Sequence, residues 1–464
     1  MAEGEHLAGT EEDREESAYA LNPQAVARMI YAVDIDDQAL LLKEMAELHP
    51  ADIADLLEQI NAFDRRRLIE LYGSEFDGDI LSELDEGLRQ EVIGLLPPEV
   101  LADAVRDLES DDVVDLVEDL EDHEQEAILN ALEAGDRLAV QKSLTYPEYS
   151  AGRLMQREVV MAPEHWNVGE AIDYLRDQED LPDQFYHIIL VDPRLRPVGN
   201  VTLGKLMASR REVLLKDLVE ETFHTIPVTQ DEADVAYAFN QYHLISAPVV
   251  DEDDRLVGVI TIDDAMAVLD EEHEEDILRL GGVGDESSLS DRVMTTAKGR
   301  AVWLFVNLLT AILASVVIDQ FADTIDQMVA LAVLMPIVAS MGGNAGTQTM
   351  TVAVRALATR DLTAQNALRV IRREVAVGAL NGLLFGFLMA LVAGAWFGVP
   401  MLAAVIALAM ILTQICAALG GIVIPMGLSR IGIDPALASG PFVTTITDVV
   451  GFFAFLGLAS MVLL

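Results

Sequence analysis

The distribution of charge along the chain constrains its fold more than any other feature. Residues 292 to 464 carry 7 acidic and 9 basic side chains, whereas residues 1 to 291 carry 71 of the 78 acids and 21 of the 30 Lys and Arg. Residues 1 to 291 are net −50 and residues 292 to 464 net +2, within a total of −48. Such a division rules out both a single water-soluble globule and a disordered chain. Ala301 to Ile318 is a run of 18 uncharged residues, long enough to cross about 30 Å of hydrocarbon when its flanks snorkel. Gln327 to Val354 is a second such run, and no charge occurs between Glu374 and Arg430. That gap is about twice the length of one span, so it must fold back, and Gly398-Val399-Pro400 is the natural turn. A last run from Pro435 to Leu464 is interrupted by Asp448 alone. The sequence therefore predicts five spans.

Their orientation follows from the bases. Arg292, Lys298 and Arg300 precede the first span, Arg355, Arg360, Arg369, Arg372 and Arg373 separate the second from the third, and Arg430 precedes the fifth. The alternate loops carry Asp319, Asp323 and Asp326 or no charge. By the positive-inside rule the acidic N-terminal region is cytoplasmic and the C-terminus lies outside a plasma (inner) membrane. A surface so acidic repels phosphate, which excludes nucleic acid as a partner. The single cysteine, Cys416, excludes an intramolecular disulfide framework and a Cys-rich zinc site. Met1 to Ser17 is polar and acidic and does not read as a cleaved signal peptide.

Two periods divide the cytoplasmic region. Over residues 25–154 apolar residues recur at helical spacing with short breaks, and starts such as Pro50-Ala51-Asp52 and Pro98-Glu99 predict a stack of short helices. An internal repeat follows. Val191-Asp192-Pro193-Arg194-Leu195-Arg196-Pro197-Val198-Gly199 matches Val250-Asp251-Glu252-Asp253-Asp254-Arg255-Leu256-Val257-Gly258 position for position. Each copy reads as a hairpin between two helices.

The paired repeats resemble tandem CBS domains, and the order of helical stack, CBS pair and five spans resembles the MgtE family of magnesium channels. The most specific blocks are Pro336 with Gly342-Gly343-Asn344-Ala345-Gly346-Thr347-Gln348, Arg355-Ala356-Leu357-Ala358-Thr359-Arg360-Asp361, and Asp434-Pro435-Ala436-Leu437 leading to Thr447-Asp448-Val449-Val450-Gly451. The fold expected is multi-domain: an acidic leader over 1–24, an all-α superhelical N domain over 25–154, and an α/β tandem CBS pair over 155–214 and 215–268. An acidic connecting (plug) helix over 269–291 and an α-helical membrane domain over 292–464 complete it. The resemblance implies a homodimeric Mg²⁺ channel that admits magnesium to the cytoplasm and is closed by cytoplasmic Mg²⁺.

The residues bear on this independently. Asp448 sits within an otherwise apolar span, where a carboxylate costs several kcal/mol unless it meets water, a partner or a cation. It lines a pore, or it is a protonated acid hydrogen-bonded to a neighbouring helix. Mg²⁺ takes oxygen ligands and sheds water reluctantly, so carboxylate, hydroxyl and carbonyl oxygens can hold it hydrated. Gly342 and Gly343 mark either backbone that lines a cavity or close helix packing; Asn344 beside them favours a site. Thr444, one turn before Asp448, shares its face. The family often has Ala at that position, and Asn where this chain has Gly440.

Asp270, Glu271, Glu272, Glu274, Glu275 and Asp276 form an acidic run, either a solvated helix face or a cation-dependent switch. The resemblance implies regulatory Mg²⁺ held by Asp231, Asp264, Glu272, Glu275 and Asp276, with Glu99 and Asp103 from the helical stack. The second copy also fits a CBS nucleotide pattern, Gly258 to Thr261 and Asp264, which implies ATP at Thr261 and Asp264; the first copy has Lys205 where the Asp belongs. No P-loop or Ser/His/Asp grouping points to an enzyme. A coupled secondary transporter of divalent cations such as Mg²⁺ and Co²⁺ and a membrane-anchored CBS sensor are the competing readings.

Overall fold

The computed structural model describes residues 21–463 except 107, 119, 121, 179–180, 183, 221 and 284–292. Most of the expected leader and the end of the connecting segment, 284–291, lie outside the described residues. Two units are separable, Met1–Asp270 and Glu271–Leu464.

In the first unit, ten short helices among the described residues form the predicted stack: α1 (Pro23–Asp34), α2 (Gln38–Met45), α3 (Pro50–Gln59), α4 (Ala62–Tyr72), α5 (Asp79–Ser82), α6 (Glu86–Leu95), α7 (Pro98–Arg106), α8 (Ser110–Glu118), α9 (Asp122–Ala131) and α10 (Ala134–Ser143). Their starts are chemically marked. The Asn22 side chain accepts from the Gln24 amide, and His49 and Asp52 form a reciprocal cap around Pro50, satisfying amides that a helix start leaves open. Each helix packs on neighbours one to three places along, as in α3 on α5, α4 on α6 and α8 on α10. One continuous core results, containing Met29, Leu56, Leu68, Leu81, Val92 and Val117.

The repeat folds into two three-stranded sheets. The first has β1 (Met161–Pro163) parallel to β2 (His187–Val191), itself antiparallel to β3 (Pro197–Thr202); the second has β4 (Ile226–Pro227), β5 (Ser246–Val250) and β6 (Leu256–Thr261) in the same arrangement. Both hairpins carry a register shift at the same position, Leu190/Val191 and Val249/Val250. Their turns repeat bond for bond. Asp192 Oδ1 accepts from the amides of Arg194 and Arg196, and Asp251 Oδ1 from those of Asp253 and Arg255. Leu195 and Asp254 both adopt a left-handed φ near +60°, so the carboxylate holds each turn against that strain.

The copies exchange covering segments. Helix α11 (Ala151–Leu154) and Met155 belong to the core of the second sheet with Ile226, Val249 and Ile260, although they precede the first copy in sequence. Gln156 exchanges amide hydrogen bonds of 2.9 Å with Val259, and the Glu220 amide donates to Asn200 at 3.2 Å. A Cβ at Gly258 would lie 2.7 Å from the Gln156 carbonyl, so glycine is required for that close crossing. Boundaries drawn at 154 and 214 therefore cut through interleaved packing. Helices α12 (Val168–Asp177), α13 (Leu203–Ala208) and α14 (Glu232–Tyr242) complete the pair. The connecting segment expected from 269 continues a helix that begins in the second copy: α15 runs Ile262–Gly281 without a break and stops at Gly282, φ +68°, the left-handed end that glycine favours.

In the second unit lie α16 (Val293–Asp319), the short α17 (Ala322–Gln327), α18 (Ala330–Ala358), α19 (Ala367–Phe397), α20 (Pro400–Arg430) and α21 (Pro435–Val462). Five of these, all but α17, are long and apolar enough to cross a membrane. Gly398, at φ +69°, ends α19 and Pro400 opens α20, as the sequence predicts. Helices α18, α20 and α21 pack on one another and α19 lies chiefly on α20. Their backbones approach through small residues: a Cβ at Gly421 would meet the Gly346 carbonyl at 2.7 Å.

Candidate functional site

Two groups of candidate side chains form, one in each unit. In the membrane unit Asp448 sits mid-helix on α21 and is half-buried, while Thr444 is exposed and its hydroxyl donates to the Gly440 carbonyl at 2.8 Å. On α18 the glycines do not interrupt the helix, which is continuous from Ala330 to Ala358. Gly342 is buried, and a Cβ there would lie 2.5 Å from the Thr413 methyl; one at Gly346 would lie 2.7 Å from Val443. Both serve close helix packing. Gly343 faces open space and its neighbour Asn344 is exposed.

Asn344 belongs to a larger feature. Ser340, Asn344, Thr347, Gln348 and Thr351 are all exposed and recur at helical spacing along one side of α18, away from the buried side of Leu331, Leu334, Val338, Gly342 and Gly346. Sequence reasoning quoted Thr347 and Gln348 in a family block but named only Asn344 of this stripe as a site residue, although the 3.6-residue period of polar side chains was available.

The second group gathers around Asp264, in the first turn of α15. Asp264 Oδ2 accepts from the Thr261 hydroxyl at 2.5 Å and the Thr261 amide at 3.3 Å. The start of α8 brings Glu109, Asp111 and Asp112 to it, and Glu158 accepts from Ser110 Oγ at 2.8 Å. Burial first, then the neighbouring carboxylates led by Glu158, push Glu109 up to about 7. Asp112 reaches about 7 through burial and the charge of Asp264. Asp264 rises to about 6 by burial, against the lowering effect of Thr261. Asp111, only 7% exposed, is raised well above its ordinary value by burial and Asp264. All the donors are carboxylate or hydroxyl oxygens, the set that suits a hard divalent cation. Among the described residues no three His, Cys, Asp or Glu groups converge as a complete metal-ligand set.

The other sequence candidates fall elsewhere. Glu99 is exposed, Asp103 pairs with Arg106 at 2.6 Å, and Asp231 caps α14 by accepting from the Ala233 amide. Glu272, Glu275 and Asp276 lie near the end of α15. There Arg279 bridges Glu275 at 2.7 Å and Asp434 at 2.8 Å, and Asp434 caps α21. Burial and the Asp434 charge raise Asp276. Arg279 and the start of α8 were missed by sequence reasoning, since nothing local marks their partners. Between the CBS copies, His187 Nδ1 lies 2.6 Å from Ser246 Oγ, and Lys205 lies 3.8 Å from Glu220.

A bundle of apolar helices with an internal carboxylate, joined to CBS domains and an acidic helical stack, defines a membrane cation transporter. Family models bear this out: residues 335–458 match the MgtE divalent cation transporter domain, 48–149 the MgtE intracellular N domain, and 151–212 and 215–271 the CBS domain. The chain is 33% identical over 329 residues to a magnesium transporter MgtE of Enterococcus faecalis, covering 71% of this chain and 72% of that one. With a Thermus thermophilus magnesium transporter MgtE it shares 31% identity, over 93% of this chain and 97% of that one. A crystal structure of the cytosolic domain of the Mg²⁺ channel MgtE in complex with ATP matches at TM-score 0.49 and 27% identity, covering 52% of this chain and 99% of that one. The chain belongs to the MgtE family of magnesium transporters, which are not enzymes.

Proposed function

We propose that the protein is a Mg²⁺-selective channel of the plasma membrane, open inward to the cytoplasm and closed when cytoplasmic Mg²⁺ accumulates. The polar stripe on α18 carries this reading. Exposed Ser340, Asn344, Thr347, Gln348 and Thr351 on a membrane-crossing helix are incompatible with lipid, so that face borders water or a second copy of the chain. Two copies facing one another enclose an aqueous path lined by hydroxyl and amide oxygens, with Asp448, Thr444 and the open side of Gly343 supplying further oxygens to a hydrated cation.

Closure is assigned to the acids of the first unit. Glu109, Asp111, Asp112 and Asp264 repel one another in a partly buried site, and a divalent cation relieves that repulsion. Asp264 opens the helix whose far end holds Arg279, itself bonded to the cap of α21. Glu272, Glu275 and Asp276 add a second acidic group on that helix.

The test is ion flux through the purified full chain in liposomes. Mg²⁺ should move down its own gradient with no imposed ion gradient, and lumenal Mg²⁺ on the cytoplasmic side should suppress it. A strict requirement for a proton or Na⁺ gradient would establish coupled transport instead.

A further inference from the structure

Helix α19 has two opposed faces, and among the described residues only one has a protein partner. Gly378, Gly382 and Gly386 seat it on α20: a Cβ at these positions would lie 2.7 Å from the Gln414 carbonyl, 2.8 Å from Ile411 Cα and 2.8 Å from the Ala407 carbonyl. Three glycines at i, i+4 and i+8 fix that side against another backbone. On the reverse side Leu380, Leu384, Phe387 and Leu391 are exposed. At 3.6 residues per turn, Arg369 and Arg373 fall in the same arc of roughly 60° as this apolar stripe. Both arginines are exposed, as is Arg372 beside them, and among the described residues none of the three makes an ion pair.

At the other end of the helix Trp396 is 64% exposed and stacks on Phe397. From Arg373 to Trp396 the helix rises roughly 35 Å, about one hydrocarbon thickness plus part of an interface. The aromatic ring and the guanidinium groups therefore sit near the two polar boundaries of one leaflet pair. A side that presents leucines along its length and unpaired guanidinium groups only at its end matches an anionic phospholipid in both charge and shape. Acyl chains cover the leucines, and the headgroup phosphate meets Arg369 and Arg373, whose planar forks suit phosphate oxygens.

We propose that the α19 face formed by Arg369, Arg373, Leu380, Leu384 and Phe387 is a binding site for an anionic phospholipid. The experiment is native mass spectrometry of the full chain after detergent extraction, with phosphatidylglycerol or phosphatidylcholine added back. The wild type should retain phosphatidylglycerol in preference. R369Q/R373Q should lose this preference, with affinity falling about thirtyfold for two surface cations removed from an anionic headgroup. R369K/R373K should keep part of it, because charge remains while the fork is lost. Inorganic phosphate at millimolar concentration should not displace the lipid. Displacement would instead reveal a site for free phosphate and overturn the assignment, as would equal retention by wild type and R369Q/R373Q. A third result also overturns it: disulfide-linked dimers formed through L380C in membranes, which would put a second copy of the chain on this face.

Discussion

The two units use carboxylates in opposite ways. In the membrane unit Asp448 is the one acid within the interior of its span, and it is half-buried. In the first unit the acids around Asp264 are crowded, so each raises its neighbours. An isolated carboxylate in a low-dielectric surround attracts a cation strongly and has no competitor. A crowded set is costly when empty and responds to cation concentration, since the cation-bound state gains the relief of repulsion. The contrast matches the two roles proposed above, passing ions for Asp448 and sensing their concentration for the cluster.

Removing the isolated charge should have the largest effect. Asp448→Asn keeps volume and hydrogen-bonding capacity, and losing one partner of a desolvated charge contact costs about 3 kcal/mol or more, over a hundredfold in rate. Mg²⁺ flux in liposomes should fall to near background with folding intact. Wild-type flux in this variant would remove Asp448 from the path.

The crowded site should instead show itself in stability against pH. Glu109 and Asp112 titrate near 7 when folded, against ordinary values of 4.5 and 3.8. The folded state therefore holds more protons than the unfolded one between about pH 4 and pH 7, so stability falls as pH rises through that window. Without divalent cations, thermal unfolding of the first unit in the intact chain should move to lower temperature between about pH 4 and pH 7, its stability falling by on the order of a few kcal/mol. Mg²⁺ should flatten this dependence, and Asp111→Asn with Asp264→Asn should diminish it. A pH-independent transition would contradict the crowding.

A smaller change is expected at the end of α15. Neutralising Glu272, Glu275 and Asp276 together should leave flux at low Mg²⁺ within a few-fold of wild type while weakening its inhibition by cytoplasmic Mg²⁺. Retained inhibition, mimicked by monovalent salt, would mark a diffuse acidic face. Least affected should be Glu99→Gln with Asp103→Asn. Glu99 is exposed and the Asp103 to Arg106 pair is largely in water, so stability should shift by less than about 0.5 kcal/mol and inhibition should persist. Loss of inhibition here would move the regulatory site out of the buried cluster.

Some of this architecture was readable residue by residue. The repeat at Val191 and Val250 specified two hairpins because each turn is closed by its own Asp, a bond spanning four residues or fewer. The return between α19 and α20 was readable for the same reason, since Gly398 and Pro400 act within one turn. That the connecting segment continues a helix of the second CBS copy was not readable, because no breaker separates Ile262 from the residues after 269. The glycines of α18 were ambiguous. That Gly342 and Gly346 serve close packing was decided by Thr413 and Val443 arriving from other helices.

What the sequence determined by itself is whatever acts through period and charge along a short length: five spans, a helical stack, paired hairpins and a lone membrane carboxylate. Hydrophobic burial and backbone hydrogen bonding impose these locally. Tertiary structure alone decided that Asp111 and Asp112 meet Asp264, that Arg279 reaches Asp434, and that α11 covers the second sheet rather than the first. Each of these joins residues dozens to more than a hundred positions apart. Such contacts are chosen by which apolar surfaces can close together, and no local preference encodes that choice.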